Sequence, residues 1–194
     1  MPEKIEKKLL VVRSDILEKL SEVARKENKT LFALTNEILQ DALKASEMKT
    51  TIREIVDFYR LMKIQKESGS MVIPMNLLLS SLKKSNDKMK ILKEWNDAGE
   101  WYGKYLIAKF DNPLEILPSL LSTSFWHVSE VKINRKTNDR IAISIIAPNV
   151  DQLLIEVTVE YLIGIMRALD FYNIKNDILH GIAILEFSKE LIEK

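Results

Sequence analysis

Residues 6–40, "EKKLLVVRSDILEKLSEVARKENKTLFALTNEILQ", contain a pattern of apolar and polar residues from which the structure of the N-terminal part can be predicted. It opens with a short apolar, β-branched run that stops at Arg13, which predicts a strand. Ser14 or Asp15 then suits a helix N-cap, because a short polar side chain can accept a hydrogen bond from a free backbone amide. The stretch therefore predicts a strand that leads directly into a helix.

Two amphipathic helices follow this strand. The first is expected from Asp15 to Glu27, with an apolar stripe at helical spacing made of Ile16, Leu17, Leu20, Val23 and Ala24. Asn28 stands where a left-handed residue is tolerated, and Thr30 is expected to cap a second helix that runs to about Glu47. The apolar face of that helix consists of Leu31, Leu34, Ile38, Ala42 and Leu43. The first unit is thus predicted as strand, helix, tight turn, helix.

A unit of this size has a consequence for assembly. Residues 7–45 are too few to bury two amphipathic helices and a strand, because small domains hide too little surface to offset chain entropy. We therefore expect this unit to form a homodimer.

The pattern resembles the ribbon-helix-helix family of DNA-binding proteins over about residues 7–45. The resemblance rests on Lys8–Val12 as ribbon strand, on Leu20 and Ala24 as first-helix core, and on Asn28–Thr30 as turn. It implies that two chains pair their strands into an antiparallel ribbon that enters the major groove. It also implies that Thr30 and Leu31, at the start of the second helix, supply backbone contacts to phosphate. Two ordinary core helices are the alternative.

The side chains of the predicted ribbon are unusual for a protein that recognises a particular DNA sequence. In one register Lys7, Leu9 and Val11 face DNA, and in the other Lys8, Leu10 and Val12 do. Leu and Val cannot form the hydrogen bonds that distinguish base pairs, although they can touch a thymine methyl. The basic residues beside the ribbon instead predict a cationic saddle for phosphates. The predicted DNA contacts are Lys4, Lys7, Lys8, Leu9, Val11, Arg13, Lys29, Thr30 and Leu31.

Composition narrows the class of protein. The 194 residues are 46% hydrophobic and 29% charged, with 5 Gly and 5 Pro, which is typical of a packed, helix-rich protein. The net charge of +1 excludes a globally basic nucleic-acid binder but allows a local basic patch. With no Cys and 2 His, thiolate zinc sites and cysteine nucleophiles are excluded, so we expect no metal, no cofactor and no enzymatic activity.

Membrane and export signals are also not expected. No run approaches the roughly 18 apolar residues of a membrane span. The N-terminal apolar part is short for a signal peptide. The sequence therefore predicts a cytoplasmic protein without a membrane partner.

Three regions are predicted along the chain: 1–47 as the DNA-binding and dimerisation unit, 48–86 as a helical connector, and 87–194 as an α+β domain. The connector is expected to contain a helix from about Lys49 to Lys66, a break at Ser68–Ser70, and a short helix that begins at Pro74. The fold class of the whole chain is therefore α+β.

The last region alternates helices and strands. We expect a long helix over Met89–Phe110, a short helix from Pro113, a hairpin of "FWHVSEVKI" and "RIAISII", a helix over Val150–Leu169, a strand "GIAILEF" and a final helix, with "DFYNIKND" as a solvated loop. Gly99, Gly103 and Gly164 lie inside helices, where glycine costs about 1 kcal/mol relative to Ala. Close approach by another element is the simplest reason for them.

This order, with "AGEWYG" (98–103), "YLIGIMRAL" (161–169) and "HGIAILEF" (180–187), resembles the 4-vinyl reductase type of ligand-binding domain. The resemblance implies an apolar pocket between helices and sheet. The cysteines that the family carries around the glycine matching Gly181 are missing, which argues against metal- or thiol-dependent chemistry. The predicted pocket residues are Gly99, Trp101, Tyr102, Gly103, Tyr105, Trp126, His127, Tyr161, Gly164 and Met166.

These residues allow two other interpretations. Aromatic residues at helical spacing commonly form ordinary core. His127 and His180 could ligate a metal or haem, but no carboxylates accompany them at ligand spacing, so we expect neither.

The two resemblances together predict a dimeric, DNA-binding transcription regulator whose C-terminal domain senses an apolar small molecule. One alternative is an architectural or antitoxin-like DNA-binding protein whose C-terminal domain binds a protein partner. A small enzyme is the other.

Overall fold

The computed structural model describes residues 8–189, which form seven helices and four strands. The helices are α1 (Ser14–Lys26), α2 (Leu31–Glu47), α3 (Ile52–Glu67), α4 (Met75–Lys84), α5 (Lys88–Lys109), α6 (Pro113–Ser124) and α7 (Gln152–Ala168). The strands are β1 (Glu130–Arg135), β2 (Arg140–Ile146), β3 (Tyr172–Leu179) and β4 (Ile182–Ser188). The chain divides into two compact units, residues 1–57 and 58–194, and the boundary falls within α3.

The two helices of the first unit confirm the sequence prediction. Asn28 has a left-handed backbone, with φ of 55°, and ends the turn after α1. The Thr30 hydroxyl accepts a hydrogen bond from the Ala33 amide at 3.1 Å and caps α2. The predicted start of α1 was wrong by one or two residues. Arg13 is the N-cap residue, because the Asp15 carboxylate binds the Arg13 guanidinium at 2.7 Å instead of capping the helix.

The predicted ribbon strand is not present in the single chain. Residues 8–13 form neither helix nor strand, and Leu9 and Val11 are 94% and 89% exposed. A strand needs a neighbour for its backbone hydrogen bonds, and a ribbon of the expected kind takes that neighbour from a second chain. The strand pairing therefore stays a prediction. Lys4 and Lys7 lie outside the described residues.

The second unit confirms the α+β class. Its four strands form one antiparallel sheet in the order β1-β2-β4-β3. Strand residues alternate between the two sides, since successive side chains point to opposite faces. Ile141, Ile143 and Ile145 of β2 are buried on the inner face, as predicted, against a core to which α5, α6 and α7 contribute.

Three predictions about the strands were wrong. The first strand begins at Glu130 rather than Phe125, because Phe125 ends α6 and the Val128 amide turns back to the Phe125 carbonyl at 2.8 Å. The segment predicted as a loop contains β3, whose polar residues are tolerated because β3 is an edge strand that pairs only with β4. β4 extends to Ser188, and the rest of the predicted last helix, residues 190–194, lies outside the described residues.

Candidate functional site

The turn before α2 holds a basic side chain between two acidic ones. The Lys29 ammonium lies 2.6 Å from the Glu37 carboxylate and 2.9 Å from that of Glu27. The hydrogen bond that Lys29 donates to Glu37, followed by the one that it donates to Glu27, raises the pKa of Lys29. The first turn of α2 contains no acidic residue, so the partial positive charge of the helix N-terminus is not offset there.

The ribbon segment places its basic residues differently. Lys8 is exposed, whereas Arg13 is paired with Asp15 through two hydrogen bonds of 3.0 and 2.7 Å. Leu31 is half-buried in the first turn of α2. Exposed ion pairs of this kind contribute at most about 1 kcal/mol, so a phosphate could replace the carboxylates at small cost.

The apolar residues of the first unit are mostly exposed. Among residues 8–57, the buried apolar side chains are Ala24, Leu34 and Ala45. The large apolar side chains left exposed up to the end of α2 are Leu9, Leu10, Val11, Ile16, Leu17, Val23, Phe32, Ile38, Leu39 and Leu43. A single copy of this unit therefore leaves most of both predicted helix faces in contact with water.

In the second unit, the three helical glycines join α5 to α7. A Cβ atom at Gly99 would lie 2.0 Å from the Tyr161 carbonyl oxygen, and one at Gly164 would lie 2.0 Å from that of Asn96. At Gly103 the nearest atom would be the Ala168 Cβ at 2.6 Å. Such distances exclude any side chain, so these glycines allow backbone contact between the two helices. Close approach, the simpler of the sequence-based reasons, accounts for them.

Polar side chains fasten the same helix pair. The Arg167 guanidinium donates to the Asn96 side-chain oxygen at 2.7 Å and to the Glu100 carboxylate at 2.5 Å. The Asn96 amide nitrogen donates to Glu160 at 2.8 Å. The three glycines therefore belong to a tightly joined helix pair rather than to the wall of an open space.

Four of the predicted aromatic pocket residues, which are Trp101, Tyr102, Tyr105 and Tyr161, form a continuous cluster. Ring centroids are separated by 6.1 Å between Trp101 and Tyr105, 6.1 Å between Tyr105 and Tyr102, and 5.9 Å between Tyr102 and Tyr161. Two residues absent from the prediction complete it, since the Tyr161 ring also contacts Phe125 at 5.6 Å and Trp95 at 6.2 Å. Trp95 lies in α5 with three of the predicted aromatic residues, and Phe125 directly precedes Trp126. Both therefore stood next to predicted residues, but only the tertiary structure shows that their rings contact Tyr161.

Two tyrosines of this cluster have pKa values that are raised by burial. Burial raises the pKa of Tyr102 to about 12, with Gln65 acting in the opposite direction. Burial, and then the neighbouring Tyr102, raises the pKa of Tyr161 above its usual value. The buried Tyr102 hydroxyl has no hydrogen-bond partner of good geometry within residues 8–189. An unsatisfied buried hydroxyl costs about 1–3 kcal/mol.

The side chains of Trp126 and His127 have different surroundings, although the two residues are neighbours in sequence. The His127 ring packs against Phe125 at 5.6 Å, and its Nε2 lies 3.1 Å from the Thr158 hydroxyl. Because that hydroxyl donates to the Leu154 carbonyl at 2.7 Å, it accepts from a protonated Nε2. Burial lowers the pKa of His127, which favours the neutral ring. Trp126 lies 66% exposed, with its indole NH bound to the Thr123 carbonyl, and does not join the cluster.

Met166 and His180 lie outside the aromatic cluster. Met166 is fully buried in the core. His180 is exposed in the turn between β3 and β4. Within residues 8–189, no three His, Asp or Glu side chains are grouped as a metal site would require. None of the helices in this part of the chain is long and apolar enough to cross a membrane.

A cavity of about 240 Å³ lies outside the predicted pocket, between α4 and α5. Leu82, Ile91 and Trp95 line its apolar side, and Ser81, Ser85, Lys90 and Glu94 line its polar side. The sequence prediction missed this cavity, because it arises from the packing of two helices whose contact has no signature in the sequence.

Comparison with known proteins adds little to this description. No family model and no curated protein matches the chain. One similar solved structure is described as "Modulating Heme Redox Potential Through Protein-Induced Porphyrin Distortion". The alignment covers 70% of this chain and 91% of the chain in that structure, at 11% sequence identity and a TM-score of 0.39. A likeness at that TM-score carries no argument about fold or function.

Proposed function

We propose that the chain is a dimeric DNA-binding regulator whose first unit acts as a ribbon-helix-helix module. The observation that carries the proposal is the imbalance of burial within residues 8–57, where three apolar side chains are buried and most of the large ones are exposed. A second copy can cover both helix faces and also supply a neighbour for the segment 8–12. Apolar burial stabilises by about 25 cal/mol for each Å² removed from water, which makes this assembly favourable.

Phosphate is the proposed target of the turn before α2. The α2 N-terminus carries no acidic residue in its first turn, and free helix N-termini bind anions through backbone amides. Lys29 lies beside it and can exchange Glu27 and Glu37 for a phosphate. Lys8 and Arg13 add cations at the ribbon, and a dimer doubles all of them. Leu9 and Val11 offer apolar contact to thymine methyl groups, so we propose that backbone contacts dominate affinity.

The role that we propose for the second unit is to sense a small aromatic or apolar molecule. The buried Tyr102 hydroxyl, for which Gln65 is a partner of poor geometry, and the surrounding rings support this role. A ligand that donates or accepts one hydrogen bond at Tyr102 would satisfy that hydroxyl. A thermal-shift screen with aromatic compounds tests it, and Tyr102→Phe should remove any shift by removing the hydroxyl.

The alternative for the second unit is a protein partner, as in an architectural or antitoxin-like DNA-binding protein. The two roles are separated by the same screen together with affinity capture. A melting temperature that no compound raises, combined with one protein that is captured in stoichiometric amount and binds again when purified, would favour the alternative.

DNA binding is tested with the full-length protein and genomic DNA fragments, by sequencing what is retained and measuring affinity against salt concentration. We expect Lys7→Ala combined with Lys8→Ala to weaken binding to all sequences alike and to reduce the salt slope by up to about 3–4, because a dimer loses four cations. The matched control is Lys132→Ala combined with Lys175→Ala, which removes the same charge from exposed positions in the second unit. Equal effects of the two double variants would contradict a DNA-binding ribbon.

A further inference from the structure

The cavity of about 240 Å³ between α4 and α5 has an apolar floor, which consists of Leu82, Ile91 and Trp95. Leu82 and Ile91 are 8% and 6% exposed, and they pack in one cluster with two buried residues of α7. Trp95 is half-buried, and its ring contacts that of Tyr161 edge-on at 6.2 Å. An apolar group that enters the cavity therefore meets a surface that is already formed.

The rim of the cavity is polar, because each helix places a second row of residues beside the apolar one. Lys90 and Glu94 lie one turn apart on α5, and Ser81 and Ser85 lie one turn apart at the end of α4. We call Lys90 and Glu94 the rim charges. The Lys90 ammonium lies 3.9 Å from the Glu94 carboxylate, and the two side chains are 69% and 65% exposed. Exposed pairs of this kind contribute little to stability, so each rim charge can bind another group at small cost.

The rim charges balance each other within the cavity. Four more lysines are close to them in sequence but lie outside the cavity lining: Lys83, Lys84, Lys88 and Lys93. Two of the four bind acidic residues of α7, since Lys83 lies 2.5 Å from Asp151 and Lys88 lies 2.5 Å from Glu156. The cavity itself is therefore lined by one positive and one negative side chain, and not by an excess of either charge.

A ligand with a single charge suits this rim poorly. It would pair with one rim charge and draw that side chain away from the other, which would then lose its partner. A ligand that carries both an ammonium and a carboxylate can pair with both rim charges. In an α-amino acid these two groups are bonded to the same carbon, so they lie within a few Å of each other, as the rim charges do.

We propose that the cavity binds a free α-amino acid with an apolar side chain. The side chain lies on the floor, the ammonium beside Glu94, and the carboxylate beside Lys90 and the two serine hydroxyls, which can donate to it. The cavity is smaller than the range of about 300–1,000 Å³ that is common for drug-sized ligands, which suits a molecule of this size. Tyr102 does not line it, so the inference goes beyond the proposed sensor role and does not depend on it.

The full-length protein and three probes test the recognition of both charges. The probes are phenylalanine, 3-phenylpropionate, which lacks the ammonium, and 2-phenylethylamine, which lacks the carboxylate. By isothermal titration calorimetry we expect each analogue to bind about tenfold more weakly than phenylalanine, because it loses one charge-assisted hydrogen bond and leaves one rim charge unpaired. Leucine is the second amino acid. Failure of both amino acids to bind at about 10 mM, or equal binding of phenylalanine and either analogue, would overturn the inference.

Two variants assign the charges of the ligand to the rim. We expect Lys90→Met to bind phenylalanine and 2-phenylethylamine equally, since it no longer recognises the carboxylate. Glu94→Gln should bind phenylalanine and 3-phenylpropionate equally, since it no longer recognises the ammonium. The matched control is Lys93→Met, which removes a charge from the same helix outside the cavity and should keep the preferences of the parent. Parent-like preferences in both rim variants would overturn the inference.

The three tryptophans of the chain locate the bound probe. Trp95 lines the cavity and Trp101 belongs to the aromatic cluster, so their indole NH signals, assigned with Trp→Phe variants, distinguish the two places by NMR. We expect phenylalanine to shift the Trp95 signal in the parent and equally in Tyr102→Phe. A shift that Tyr102→Phe abolishes would place the probe in the aromatic cluster, which would overturn this inference and support the proposed sensor role.

Discussion

The two units of the chain use their apolar residues in opposite ways. Within residues 8–57 the first unit buries three apolar side chains and leaves both helix faces largely exposed, whereas the second unit encloses Leu106, Ile143, Leu162 and Phe187 almost completely. The second unit contains a sheet and several helices that cover one another, and the first contains two helices joined by a tight turn and the start of α3. A core is buried only where several layers of secondary structure pack on it. Equally apolar helix faces can therefore be buried in one unit and exposed in the other.

The largest effect is expected inside the complete unit. Gly164→Ala places a Cβ 2.0 Å from the Asn96 carbonyl, and backbone cannot move as a side-chain tip does. We expect a loss of about 3 kcal/mol or more in the free energy of unfolding, measured by urea denaturation. Gly69→Ala is the control, since its Cβ would meet nothing within 4 Å and only its left-handed backbone, at φ of 79°, is disfavoured. A loss no greater than that of the control would mean that α5 and α7 are less tightly joined.

An intermediate effect is expected from charged substitutions at exposed leucines, and it should be confined to the leucine in the proposed dimer interface. Leu43 on α2 and Leu179 on β3 are 65% and 66% exposed. We expect Leu43→Glu to weaken self-association by about a hundredfold, because it buries a charge in the proposed dimer. Leu179→Glu should leave self-association unchanged. Sedimentation equilibrium measures the self-association of both variants. Equal self-association would contradict the proposal that the exposed face of the first unit forms the dimer interface.

The smallest effect concerns the buried imidazole of the second unit. Burial lowers the pKa of His127, so the folded state binds fewer protons than the unfolded state. Stability should therefore fall as pH drops below about 6.5, the usual histidine pKa, until the folded pKa is passed. His127→Gln keeps a donor to Thr158 and removes the titration, so its melting temperature should fall less between about pH 7.5 and 5.5. The exposed His180→Gln variant should behave as the parent does, and a parent-like fall in His127→Gln would exclude this explanation.

Local signals predicted the helices well. The Thr30 cap, the left-handed Asn28 and the bounds of α2 and α4 follow from residues within one or two turns of each other. The helical glycines also indicated close approach correctly. The sequence could not indicate that α7 is the partner of α5, because the residues in contact, such as Gly99 and Tyr161, lie far apart along the chain.

The errors arise where tertiary context decides. β3 has polar residues that look like a loop, and only its position at the sheet edge permits them. Trp126 and His127 were predicted in a strand, yet the turn after α6 directs one ring outward and the other into the aromatic cluster. The predicted pocket was a single set of residues, whereas the structure separates it into a glycine-lined helix contact and a ring cluster around Tyr102 and Tyr161.

The central claim is that the first unit is completed by a second copy, and hydrogen exchange of the full-length protein at two concentrations tests it directly. Between about 1 µM and about 100 µM, we expect amide exchange in α1 and α2 to slow by about tenfold, because the dissociated fraction falls with the square root of concentration. Exchange in α5 and α7 should not change, which provides the internal control. Exchange in α1 and α2 that is the same at both concentrations would contradict the claim.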